Sequence, residues 1–368
     1  MRKSSRVVVK VGTSSLTYST GKLNLTRMEK LVRDLSDVLN QDREVLLVSS
    51  GAVGAGMGKL GLDRRPRTIP EKQAAAAIGQ GILMHIYEKF FAEYSQTVAQ
   101  VLLTPADLFD RHRYLNARTA LETLFKLGVI PIVNENDTVA TQGLKFGDND
   151  TLSAMVAGLI DAEVLIILSD IDGLYSANPR VDPNAELISL VEEITSEIEM
   201  SAGGTGSNMA QGGMVTKIQA ARIAASSGAY MLVVNSQEPQ VIRRILDGES
   251  LGTLFLPSSK KLDARQRWIA YGSPVQGRVL IDGGAVDALL KRGKSLLPSG
   301  VVGVEGNFEA GCVVGVYTPD GREIARGISN YSSGAVDKIK GRRTTEILEV
   351  LGYKDFDEII HRNNLTLI

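Results

Sequence analysis

Apolar residues recur along the first 258 positions in two alternating rhythms. Short β-branched runs at 6–11, 44–49, 97–102, 129–133, 164–168 and 230–234 have the form of strands. Several are apolar at every position, as strands covered on both faces should be. Longer segments between them carry helical periodicity. Thr26-Arg27-Met28-Glu29 matches a capping box opening a helix to about Asn40. Pro70 opens an alanine-rich helix toward Glu93. A further helix is expected over 114–127, ended by Gly128. Such alternation predicts an α/β fold with a mainly parallel sheet sandwiched by helices.

Beyond 258 the rhythm changes. Lys260-Lys261-Leu262-Asp263-Ala264-Arg265-Gln266-Arg267 is a charged connector ending at Trp268. Short strands follow at 278–281, 300–305, 312–317 and 323–328, separated by turn signals such as Asp282-Gly283-Gly284 and Asp320-Gly321. Small helices are expected at 285–291 and 344–351. The expected division is a catalytic domain over 1–258, a linker over 259–275, a small mostly-β domain over 276–354 and a tail over 355–368.

Composition narrows the function classes. A chain of 368 residues, 43% hydrophobic and 23% charged, has room for two globular domains. A net charge of -1 gives no overall attraction to nucleic acid or an anionic membrane. No apolar run of about 18 residues exists, so no membrane span is expected. The basic start Met1-Arg2-Lys3-Ser4-Ser5 is followed by only Val7, Val8 and Val9 before Lys10, which is a strand start rather than a signal peptide. The single Cys312 cannot form an internal disulfide and fits a reducing cytoplasm. Three scattered histidines and one cysteine leave no His/Cys metal cage.

Polar and glycine residues gather where the predicted strands end. Lys10-Val11-Gly12-Thr13-Ser14 follows the first, Ser49-Ser50-Gly51-Ala52-Val53-Gly54-Ala55-Gly56 the second, Asn134-Glu135-Asn136-Asp137 the fourth and Ser169-Asp170-Ile171-Asp172-Gly173 the fifth. Open parallel sheets bind ligands at that end, so these loops are expected to share one site. Neither a P-loop nor a dinucleotide-binding glycine pattern is present, and protein-kinase landmarks are absent. Lys10 and Lys217, each beside glycines, together with Gly147-Asp148-Asn149-Asp150, suit phosphoryl transfer, in which fixed cations and bare N–H groups offset charge repulsion. If the acceptor is a carboxylate, it is ionised at neutral pH and needs no base. Asp150 is then expected to orient both lysines, and Asp170 to position the nucleotide or its metal ion. Mg²⁺ would sit mainly on phosphate oxygens. Asp150 also suits the N-terminus of a helix over 151–159. Ser50-Gly51 and Asn149 can bind an acceptor carboxylate, while Asp137 or Asp148 can answer an ammonium group. Lys145 either faces the acceptor or is a solvated loop residue.

The same motifs, with Leu115-Asn116-Ala117-Arg118, Asp172-Gly173-Leu174-Tyr175 and Gly212-Gly213-Met214-Val215-Thr216-Lys217, resemble the amino acid kinase family over nearly the whole chain, and its bacterial glutamate-phosphorylating members in particular. The resemblance implies ATP-dependent phosphorylation of the γ-carboxylate of L-glutamate to L-glutamyl 5-phosphate, the first step toward proline. It implies that Lys10, Ser169, Asp170, Gln211, Gly212, Gly213, Met214, Val215, Thr216 and Lys217 contact ATP, and that Ser50, Asp137 and Asn149 hold glutamate. Ser169 and Gln211 stand where threonine is common, changes that keep hydroxyl and backbone contacts. It further implies feedback inhibition by proline, cooperation with a glutamyl phosphate reductase, and a homo-oligomer. Aspartate kinases are expected to begin with a Lys-Phe-Gly-Gly type segment, which is missing here.

Ser295-Leu296-Leu297-Pro298-Ser299-Gly300 and Gly306-Asn307-Phe308-Glu309-Ala310-Gly311 resemble a PUA domain, a module often found in RNA-modifying enzymes, which raises RNA binding as the rival function. Residues 276–354 carry 11 Lys and Arg against 9 Asp and Glu, with few aromatics, short of the basic stacking face that RNA modules use. Lys338-Ile339-Lys340-Gly341-Arg342-Arg343 is better read as a solvated face, and the domain as structural or regulatory.

Overall fold

The computed structural model describes residues 5–18, 22–62, 64, 66–139, 149–177, 179, 182, 184–201, 213–258, 262–271 and 275–368. The chain divides into two compact units, Met1–Lys261 and Leu262–Ile368. The first contains β1 (Arg6–Val11), β2 (Glu44–Ser49), β3 (Thr97–Leu103), β4 (Val129–Glu135), β5 (Val164–Ser169), β6 (Leu174–Tyr175), β7 (Leu187–Ile188), β8 (Leu190–Val191), β9 (Tyr230–Asn235) and β10 (Thr253–Phe255). An eight-stranded sheet runs in the order β3-β4-β2-β1-β5-β9-β10-β8. It is parallel from β3 to β9, and β10 runs antiparallel to β9. β1 is therefore interior, and its carboxyl end lies between those of β2 and β5.

Side chains alternate across a strand, and this sorts β1 into two sets. Val7, Val9 and Val11 join a core with Met28, Leu35, Leu83, Tyr87 and Phe91, contributed by the helices Leu25–Leu39 and Ile69–Ala92. Arg6, Val8 and Lys10 face the other side. There the Arg6 guanidinium lies 4.8 Å from the centre of the Phe125 ring and pairs with Glu122, both on the helix Arg111–Lys126.

The segment after β2, expected as a glycine-rich loop, is instead the helix Ala52–Leu60. Gly51 precedes it in a left-handed conformation, φ 106°, that a side chain would strain. Its glycines serve close packing rather than looping. A Cβ on Gly79 of the helix Ile69–Ala92 would fall 1.7 Å from the Ala52 carbonyl oxygen, and one on Gly56 would fall 1.9 Å from that of Ala75. The two backbones interlock through these absences.

Other boundaries shift for local reasons. The helix expected from Thr26 starts at Leu25, because Asn24 caps it by accepting from the Arg27 N–H at 3.1 Å. Glu29 bonds Arg33 and Tyr94 instead of closing a capping box. The Pro70 helix starts one residue earlier, at Ile69, and is capped by the reciprocal pair Thr68 and Glu71. The helix expected from Tyr114 starts at Arg111, capped by Asp110.

The second unit is a five-stranded sheet in the order β12-β11-β13-β14-β15, formed by β11 (Arg278–Ile281), β12 (Val301–Glu305), β13 (Val313–Tyr317), β14 (Glu323–Ile328) and β15 (Leu365–Leu367). Val279, Val314, Ile324, Tyr331, Val336 and Ile360 fill its core. It takes in the helix Ala264–Tyr271, within the expected linker, which packs against β14 and β15 and receives Arg326 on the Ala270 carbonyl at 2.6 Å. β15 lies in the expected tail and pairs with β14, closing the sheet. The helix Ser333–Ile339, capped by Ser332, carried no sequence expectation.

Candidate active site

Lys10 ends up buried because its strand is interior and its parity points it at the helix Asn149–Leu159. That helix packs on Met214–Ser227. The buried Ala154, Ala157 and Gly158 of one and Ala220, Ala221 and Ala224 of the other allow a close approach. The consequence is a three-residue charge cluster assembled from distant positions. Lys10 Nζ lies 2.5 Å from Asp150 Oδ1, and Lys217 Nζ lies 3.1 Å from Asp150 Oδ2. Asp150 is fully buried, and Lys10 and Lys217 are 5% and 4% exposed, so the cluster holds two cations and one anion away from water. Thr216 Oγ1 lies 3.2 Å from Asp150 Oδ2 and 2.7 Å from the Gly213 carbonyl oxygen, which share its one proton.

Burial is the largest influence on the Asp150 carboxyl and opposes its ionisation, but the two ammonium charges and their hydrogen bonds together outweigh it and hold the group below the usual carboxylate range. Asp150 also occupies the first turn of its helix, so its two expected roles coexist. Gly12 lies against this cluster: a Cβ there would stand 3.7 Å from Lys10 Nζ and 3.9 Å from Ser14 Oγ, ordinary contact distances.

A second cluster is made of amides. Asn149 Nδ2 donates to Ser50 Oγ at 2.8 Å and to Asn134 Oδ1 at 2.9 Å. Asn134 Oδ1 also accepts the Glu135 backbone N–H at 2.9 Å, and Asn134 Nδ2 donates to Gln80 Oε1 at 2.9 Å. Asn149 and Asp150 are adjacent, so the amide chain and the charge cluster share a helix N-terminus. Behind Ser50, Ser49 Oγ and the Tyr87 hydroxyl lie 2.8 Å apart. Burial raises the Tyr87 phenol and the Ser49 contact partly offsets it, so Tyr87 stays neutral.

The remaining sequence candidates sit around these clusters. Ser169 is buried and Asp170 exposed at the carboxyl end of β5, where Ser169 Oγ donates to Asp170 Oδ1 at 3.3 Å. Ser169 also receives the Ser236 N–H on its carbonyl at 2.7 Å, which joins the ends of β5 and β9. Gly213 caps the helix Met214–Ser227, with Met214, Val215 and Thr216 in its first turn. Asp137 lies half-buried in the turn after β4. Gly51 sits between the Ser50 contact and the helix it opens. Asp148, Gln211, Gly212 and Lys145 lie outside the described residues. Gln80 and Asn134 are the members that sequence reasoning did not assign. Asn134 stood in view within a polar turn, whereas for Gln80 the signal was one amide on the small-residue face of an alanine-rich helix. Among the described residues, no group of three or more His, Cys, Asp or Glu is arranged to hold a metal ion.

Residues 5–235 match the model of the amino acid kinase family, and residues 277–351 match that of the PUA domain. The chain belongs to the amino acid kinase family. Its likeness to members of known name extends over its full length. A Moorella thermoacetica protein named glutamate 5-kinase is 57% identical over 368 residues, covering 100% of this chain and 97% of the other. Another of that name from Thermoanaerobacter sp. (strain X514) is 55% identical over 363 residues, covering 99% and 98%. A third, from Geobacter sulfurreducens, is 50% identical over 368 residues, covering 100% and 99%. No described helix is long and apolar enough to cross a membrane.

Proposed function

We propose that the protein transfers the γ-phosphoryl group of ATP to the γ-carboxylate of L-glutamate, giving L-glutamyl 5-phosphate and ADP. The observation that carries this reading is the Lys10–Asp150–Lys217 cluster beside the Ser50–Asn149 pair, at the carboxyl end of a parallel sheet. The full-length likeness to proteins named glutamate 5-kinase supports the choice of acceptor.

The reaction needs two anions brought into line, and the residues answer that need. A carboxylate oxygen of glutamate attacks the γ-phosphorus, and the bond to the β,γ-bridging oxygen breaks, releasing ADP. Lys10 and Lys217 neutralise charge on the transferred oxygens, and Asp150 holds both ammonium groups in place. Gly213, the cap of the helix Met214–Ser227 with no side-chain cap of its own, puts a helix N-terminus where phosphate oxygens suit it. Mg²⁺, when bound with the nucleotide, screens the phosphate charge, and the exposed Asp170 suits contact with it. Ser50 and Asn149 hold the acceptor, and Asp137 answers its ammonium group; Asp148 is the alternative for that last role. No general base is assigned, because the nucleophile is already ionised at neutral pH.

The same reading includes inhibition by proline near the glutamate pocket, use of the product by a glutamyl phosphate reductase, a homo-oligomeric state and a cytoplasmic setting, with the PUA domain in a structural or regulatory part. An ATP-dependent hydroxamate assay comparing glutamate, aspartate and N-acetylglutamate tests the central claim. Glutamate should yield the trapped acyl phosphate at the highest kcat/KM. A preference for either other acid, or no ATP-dependent product, refutes it.

A further inference from the structure

Hydrogen-bond direction along the amide chain is dictated by the backbone. The Glu135 N–H donates to Asn134 Oδ1 and cannot be reversed, so the Asn134 amide has one orientation. Asn134 Nδ2 must then face Gln80, which must present Oε1. Turning the Gln80 amide round would set two NH₂ groups against each other. Asn149 must donate to Asn134 Oδ1, and its second N–H goes to Ser50 Oγ. Because Ser50 Oγ accepts from Asn149, its own proton is available elsewhere, and Asn149 Oδ1 is the acceptor end of the same amide.

Gln80 conforms to this direction at a disadvantage to itself. It is 9% exposed, and among the described residues its Nε2 has no hydrogen-bond partner. A buried amide nitrogen left in that state requires a reason. Gln80 follows Gly79, whose missing side chain locks its helix against the one opened by Gly51. One helix thus fixes both the backbone beside Ser50 and the amide behind Asn149.

We propose that Gln80 is a positioning residue. Acting through Asn134, it holds Asn149 so that the Ser50 hydroxyl donates to the acceptor's anionic group while Asn149 Oδ1 accepts from its ammonium group. This rests on the amino acid phosphorylation proposed above and adds the origin of the preference for a zwitterionic acceptor. Without an oxygen at position 80, Asn134 Nδ2 loses its partner, and Asn134, although its amide keeps its direction, is no longer held where Asn149 needs it.

Steady-state kinetics of the full chain with glutamate and with glutarate, which lacks the ammonium group, test it. Gln80→Leu should raise the KM for glutamate about tenfold, the effect of losing one aligned hydrogen bond. It should leave kcat and the KM for ATP within about threefold, since neither depends on the pocket's polarity. The glutamate-to-glutarate ratio of kcat/KM should fall by a similar factor. Gln80→Glu keeps an oxygen at the same reach and should restore KM and ratio. Gln80→Asn keeps the chemistry but falls short of Asn134, and should behave like Gln80→Leu. Gln80→Met replaces the leucine variant if that does not fold. An unchanged ratio in Gln80→Leu overturns the proposal, as does equal impairment of Gln80→Leu and Gln80→Glu with lowered Tm, which marks a packing role. A wild-type protein that phosphorylates no amino acid overturns the parent reading by a separate observation.

Discussion

Replacing Asp150 by asparagine removes the one negative charge between two buried ammonium groups without changing the shape of the side chain. At an effective dielectric near 20, contacts at 2.5 and 3.1 Å correspond to attractions of about 7 and about 5 kcal/mol. Mutual repulsion of the two lysines offsets part of this attraction. Desolvation of all three groups consumes most of the gross attraction, but breaking a buried ion cluster by removing one member still costs about 3–5 kcal/mol. Urea unfolding of the ligand-free variant should show a loss of that size. The kinetic signature separates positioning from bulk stability. In the variant the lysines are no longer held by a fixed carboxylate, so kcat should fall roughly 10²–10³-fold, the usual penalty for a misplaced transition-state donor. The KM for ATP should not rise, because an anionic competitor for the lysines has gone. A variant with kcat within threefold of wild type, or one in which KM for ATP rises while kcat is kept, would refute the assignment of Asp150 as organiser of the lysine pair.

Three further outcomes are expected. Lys10→Ala and Lys217→Ala should each lower kcat about 10²–10³-fold in a coupled ADP-release assay, and an unchanged kcat in either removes that lysine from the mechanism. Asp137→Ala should raise the KM for glutamate roughly 10- to 100-fold, the range for losing a charge-assisted contact, with kcat little affected; a KM unchanged for glutamate but raised for ATP contradicts the assignment. Asp34, on the helix Leu25–Leu39, has its carboxyl raised to about 6, chiefly by burial and then by Asp37. A raised folded value means its favourable contribution is complete below the unfolded value near 3.8 and is lost as pH rises through about 6. Asp34→Asn should therefore stabilise the protein at pH 7.5 by about 1 kcal/mol, after discounting for partial exposure, and by nothing measurable at pH 3.5. Thermal unfolding at the two pH values checks both the size and the sign.

The parallel sheet and the charge cluster were legible for the same reason. Apolar runs mark interior strands, and a lysine ending one of them must find an anion if it is buried. The motif Gly147-Asp148-Asn149-Asp150 supplied the obvious anion, and Asp150, expected to orient both lysines, meets both. Gly51 to Gly56 were misjudged because glycine signals either a turn or close packing. Only the facing Ala75 and Gly79 decide which, and they lie 19 or more residues away. Gln80 escaped notice because a single amide within an alanine-rich helix has no periodic signature, and its significance rests on the Asn134 it meets 54 positions later. The helix at Ala264–Tyr271 and strand β15 were hidden by charged or short segments whose order comes from docking onto a sheet.

The glycine interlock between the helices Ala52–Leu60 and Ile69–Ala92 bears on how a saturation-mutagenesis map of this protein should be interpreted. Substituting alanine at position 79 or 56 adds a single methyl group, yet that methyl meets a carbonyl oxygen at under 2 Å, so one helix must shift. The helix that moves carries either the Ser50–Gly51 junction or Gln80. Such substitutions should score as loss of glutamate recognition while the protein still folds and binds nucleotide, and a screen reading activity alone would assign them to the substrate pocket although neither glycine touches substrate.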